Sequence, residues 1–95
     1  MKMVFAWYYP DQWERLRSLS EDSESLEKRY EDWQRKALEK FDEAKRDGVE
    51  PHKVYVDLDM LLSWCASHSL NINGKTRSNY ASLLFSERMG CNEKL

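Results

Sequence analysis

Met3-Val4-Phe5-Ala6-Trp7-Tyr8-Tyr9-Pro10 opens the chain with a run that is apolar on both alternating faces. A strand with one solvated side would alternate apolar with polar residues, so this run predicts a strand covered on both sides or paired at an interface. Pro10 ends it, and the fixed backbone angle of proline suits the first turn of a helix. Trp13, Leu16 and Leu19 follow at helical spacing, which predicts a short first helix to about Ser20.

Ser20 or Ser23 can cap a second, longer helix reaching about Asp47, because either hydroxyl can accept from the free amides of a first turn. At about 100° per residue, Leu26, Tyr30, Trp33, Ala37, Phe41 and Ala44 share one narrow arc, with Leu38 outside it. The far side carries Glu24, Lys28, Arg35, Glu39 and Arg46, and includes four-apart pairs such as Glu31 with Arg35 and Asp32 with Lys36. Lys45 and Arg46 complement the end of the helix dipole, and Gly48 supplies the stop.

Lys53-Val54-Tyr55-Val56-Asp57 follows Pro51 and alternates β-branched with aromatic residues, which predicts a second short strand. Asp57 then caps a third helix to about Ser69. From Met60 to Gly74 there is no formally charged residue, although 34% of the chain is charged, so this helix is expected to be buried or to sit in an interface. Asn71-Ile72-Asn73-Gly74 reads as a turn, and a fourth helix is expected from Lys75 to about Met89, with Tyr80, Leu83 and Leu84 inward and Gly90 ending it.

The fold class that follows is α+β: two short strands and four helices in the order β-α-α-β-α-α around one core, with residues 1–95 as a single domain. Doubly wound nucleotide binders and hydrolase sheets need more chain than ninety-five residues. Two strands alone make a marginal sheet. The long connection between them allows either a parallel pair within the chain or pairing with another protomer.

The net charge of −2 argues against a dominant phosphate-binding surface. Residues 11–50 carry nine Lys and Arg against thirteen Asp and Glu, a solvated helix surface more than an acidic tail. Met3 to Tyr9 lacks the small-residue cleavage site of a signal peptide, and no stretch reaches the apolar length of a membrane span. With only Cys65 and Cys91 present, no disulfide scaffold is expected and a cytoplasmic setting fits.

Three short patterns invite a catalytic or metal reading. Asp57-Leu58-Asp59 after a strand resembles the Asp-x-Asp of haloacid-dehalogenase-like phosphatases, but over these residues alone, and the chain cannot house the larger sheet and distant ligands that such enzymes use. Helix capping by Asp57, with Asp59 complementing the dipole, accounts for both. Gly74-Lys75-Thr76 matches the tail of a phosphate-binding loop, yet Ser69 stands where its first glycine belongs and a helix precedes it, so turn chemistry is preferred. Cys65-x-x-His68 puts a thiol and an imidazole on adjacent helical turns, with Cys91 and His52 as distant partners; the spacing lacks the two close pairs of a structural zinc site. No catalytic residue, metal ligand or cofactor is therefore assigned.

The aromatic content points elsewhere. Trp13, Trp33 and Trp64 lie on inward helical faces, whereas Trp7, Tyr8 and Tyr9 are consecutive on a strand and cannot all face one side. These three are the candidate partner-binding residues, and the apolar strand favours a homodimer. The reading is of a small interaction or regulatory module without catalytic activity. Its competitor is a helix-turn-helix nucleic-acid binder using Lys75, Arg77 and Asn79 at the start of the last helix, although residues 70–95 carry a net charge of only +2.

Overall fold

Two strands, β1 (Lys2–Trp7) and β2 (Glu50–Tyr55), pair in parallel with Lys2 opposite Glu50 and Trp7 opposite Tyr55. This computed structural model describes residues 1–93, with side chains to Arg88. Four helices complete the fold: α1 (Trp13–Leu19), α2 (Tyr30–Arg46), α3 (Leu58–Ser67) and α4 (Gly74–Glu93). Single 3₁₀ turns at Pro10–Gln12 and Ser23–Ser25 join them. The order is β-α-α-β-α-α with the strands parallel, so the fold is α+β as expected. Among the described residues no helix is long and apolar enough to cross a membrane.

Both faces of the sheet are covered, which explains the two-sided apolarity of β1. Phe5 and Trp7 point toward α2, with Phe5 edge-on to Phe41 at 5.6 Å and Trp7 edge-on to Trp33 at 5.1 Å between ring centroids. Lys53, opposite Phe5 in register, lays its ammonium 4.5 Å from the Trp7 ring centre and 5.1 Å from that of Phe41. The ring faces there offer negative charge to a cation that stays part-exposed. On the other face Val4, Ala6 and Val54 belong to the main hydrophobic cluster with α1, α3 and α4, and His52 rests 4.8 Å from the Phe85 ring. Leu58, Leu61, Cys65, Ile72 and Ala81 form the centre of that cluster.

Trp33 is the hinge between the two sides. Its ring lies 5.0–5.3 Å from those of Tyr8, Trp13, Trp7 and Tyr30. Two of these rings also satisfy backbone carbonyls: Trp13 Nε1 donates to Glu27 and the Tyr30 hydroxyl to Tyr8. Buried aromatics with a polar edge need such partners.

Three elements differ in their bounds from expectation. The second strand runs over Glu50–Tyr55 and not Lys53–Asp57, with Pro51 inside it opposite Met3, because Pro51 lies on the outer edge where no N–H is needed. The second helix starts at Tyr30, not at Ser20 or Ser23. Ser20 donates to the Leu16 carbonyl, Asp22 is engaged by α4, and Leu26 packs against the core from outside any helix, so tertiary partners take the groups that a cap would have used. At the other end Gly90 does not stop α4, which continues to Glu93. Other local signals act as expected. Gly48 takes φ +83° after α2 while its N–H donates to Lys45 and that of Val49 to Ala44, closing the helix end. Asp57 caps α3 by accepting from the Met60 amide at 3.2 Å.

Candidate interaction surface

The consecutive aromatics of β1 divide in a way that corrects the sequence reading. Trp7 and Tyr8 are 2% and 7% exposed, because each face of the sheet has its own helical cover. Neither is available to a partner. Tyr9 alone reaches solvent, beside the exposed Tyr55 at 5.3 Å between ring centroids.

Arg77 also lies inside. Its guanidinium grips Asp22 with two bonds of 2.9 and 3.0 Å, donates from Nη1 to Ser20 Oγ at 3.1 Å and from Nε to the Tyr8 hydroxyl at 3.2 Å. Hydrogen bonding from Arg77 holds the Asp22 carboxyl below its ordinary range against the opposing effect of burial. Burial is the largest influence on the Tyr8 hydroxyl and pushes its pKa up. Lys75 and Asn79 are exposed, but the arginine that would have stood between them on a phosphate backbone is occupied by an internal carboxylate.

The same carboxylate fills the start of α4. Asp22 Oδ2 accepts from the Gly74 amide at 3.1 Å, so the place where Gly74-Lys75-Thr76 could meet a phosphate is taken. Asn73 and Thr76 cap each other reciprocally, the Asn73 side-chain Oδ1 accepting from the Thr76 backbone N–H and the Thr76 hydroxyl from the Asn73 backbone N–H. Glu21 accepts from the side-chain amides of Asn71 and Asn73 at 2.9 Å each. Glu21 and Asp22 thus clamp the turn before α4. No local signal in the sequence marks them, since their partners lie 50 or more positions away.

The remaining motif residues are structural. Asp59 pairs with Arg15 on the surface at 3.1 Å. Cys65 is buried, and burial raises its thiol pKa. His68 is exposed, with Nδ1 2.9 Å from the Trp64 carbonyl, and His52 sits 3.0 Å from Glu50. The Cys91 side chain lies outside the described residues; among the described residues no three His, Cys, Asp or Glu side chains gather as a metal site. The uncharged stretch is divided. Leu61 and Cys65 face the core, whereas Met60 and Leu70 are 61% and 40% exposed.

One surface is built for main-chain contact. The Glu50 amide donates to the Met1 carbonyl and the Val56 amide to the Trp7 carbonyl, both at 2.9 Å. Backbone groups of successive residues in a parallel pair point to opposite sides, so these two bonds fix the parity. Odd residues of β1 turn their N–H and C=O toward β2, while Lys2, Val4 and Ala6 turn theirs outward. Among the described residues no backbone group bonds to that outer edge, and the Tyr30 hydroxyl terminates it at the Tyr8 carbonyl. The opposite edge, on β2, is guarded by Pro51, which has no N–H to offer. Beside the β1 edge a groove of about 360 Å³ runs between Met3, Phe5 and Val49 and the α2 residues Lys40, Glu43, Ala44 and Asp47. Met3 is 48% exposed there.

Comparison of the chain with protein-family models, with curated proteins and with solved structures finds no match.

Proposed function

We propose that the chain is a small cytoplasmic protein-interaction module without catalytic activity, and that it acts through the outer edge of β1 and the groove beside it. The run of Lys2, Val4 and Ala6 backbone groups, to which no backbone group bonds among the described residues, carries this reading. Open strand edges pair readily with other chains, and proteins usually blunt them with proline, charge or a cover. Here β2 carries Pro51 on its outer edge, whereas the β1 edge has, among the described residues, only Lys2 at its start and the Tyr30 hydroxyl at its end. Exposed Met3 beside an apolar groove floor adds side-chain contact to the main-chain bonds. Few cysteines, one of them free and buried, suit a reducing compartment.

The test places a photo-crosslinking amino acid at position 3 of the full chain, or at Glu39 on the exposed side of α2, and irradiates each in extract of the source cells. Position 3 should give defined protein adducts, the chain's own copies included, at yields at least ten times those from position 39. Equal yields from the two positions would refute the reading. Duplex DNA at physiological salt should bind to neither.

A further inference from the structure

Resting on that reading, we infer that the occupant of the β1 edge is a second copy of this chain, paired antiparallel about a two-fold axis through Val4. Two observations set the register. Only even residues of β1 face outward, so only even residues can be hydrogen-bonded partners. The Tyr8 carbonyl already accepts from Tyr30, so the available run is Lys2, Val4 and Ala6.

An antiparallel pairing uses this whole run in one way. Lys2 meets Ala6 of the second copy, Val4 meets its own equivalent, and Ala6 meets Lys2, each pair exchanging two bonds. Sliding by one pair in either direction gives up one of the three, because Tyr8 cannot substitute. The edge is therefore self-complementary, as a two-fold interface requires. It opposes no like charges, since each Lys2 faces an alanine.

The register also explains exposed Met3. In the intervening, closer pairs Met3 lies opposite Phe5 of the second copy on the side of the sheet facing α2, where the groove is open. A thioether against an aromatic ring is a favourable contact, and the two-fold axis makes it twice. The sheet becomes four strands in the order β2-β1-β1-β2, with the Pro51-guarded strands outermost. A single strand pair with two flanking side chains is at the small end of stable interfaces, so the dimer should dissociate on dilution.

Sedimentation equilibrium of the full chain from about 1 to 300 μM tests the association, and cysteine crosslinking tests the register. The mass should rise from 11.4 kDa toward twice that value. With Cys91→Ser as background, Val4→Cys should form a disulfide dimer on mild oxidation, because the paired Cα atoms would lie about 5.5 Å apart. Met3→Cys should not, as the two copies of position 3 would be more than about 7 Å apart. Val4→Pro, which removes the central N–H, should stay monomeric over the whole range, with circular dichroism to show that it folds. A chain monomeric throughout the range overturns the inference, and the adducts from position 3 then decide separately whether a different protein uses the edge. A dimer that crosslinks through Met3→Cys but not Val4→Cys, or through neither, overturns it as well.

Discussion

The Arg77–Asp22 pair gives a sharp prediction because its two halves are buried unequally. The Arg77 side chain is 6% exposed and that of Asp22 29%. Asp22→Ala strands a guanidinium that no longer has its carboxylate and cannot reach water, and it frees the Gly74 amide as well. Breaking a buried pair in that direction costs about 3–4 kcal/mol. Arg77→Met removes the charge that is deep and leaves one that can hydrate. Tyr8 and Ser20 lose a donor, but Ser20 still bonds to Leu16. The cost should then be about 1–2 kcal/mol. The double variant should resemble Arg77→Met alone, giving a coupling of about 3–4 kcal/mol, the whole cost of Asp22→Ala. Equilibrium unfolding in urea, followed by fluorescence of the tryptophans around Trp33, measures all three. In a domain of this size the melting temperature should fall by roughly 15–25 °C for Asp22→Ala. If Arg77→Met costs as much as Asp22→Ala, the reasoning from unequal burial fails.

Acid titration of stability should show Asp22 directly. Its folded pKa is lowered from the ordinary 3.8, so its contribution is present above that value and is lost as pH falls through the lower folded value; Asp22→Asn should flatten the decline in urea midpoint below about pH 4. Gly48→Ala should cost about 1 kcal/mol from backbone strain alone, since φ is +83° and nothing lies within 4 Å of an added methyl; Gly48→Asn should cost less, and equal losses would argue against this cause. In a Cys91→Ser background Cys65 should react with a thiol reagent only at the rate of unfolding, because its thiol is both buried and raised in pKa; rapid labelling of the native protein would contradict its placement.

Much of the fold is legible in the sequence because its causes are local. The continuous apolarity of β1, the arc from Leu26 to Ala44, the Asp57 cap and the Gly48 stop each depend on a few neighbouring residues, and each marks an element that forms, although α2 begins only at Tyr30. The order of elements and the α+β class follow from them. A strand apolar on both faces further implies cover on both sides, which α2 and α4 provide.

Tertiary structure decided what depends on partners remote in the chain. Ser20 and Ser23 have the chemistry of helix caps, but Asp22 bonding to Arg77, 55 positions later, and Leu26 packing against the core hold that segment out of a helix. Arg77 looks like a phosphate ligand until that carboxylate is found beside it. Trp7 and Tyr8 look like surface aromatics until both faces of the sheet are seen to be covered. The open edge of β1 is the clearest case. Lys2, Val4 and Ala6 face outward only because Glu50 and Val56 pair with Met1 and Trp7, and a pairing partner displaced by one residue would have turned the other set outward. Periodicity is written in neighbouring side chains, but the direction of a backbone amide is set by the strand beside it.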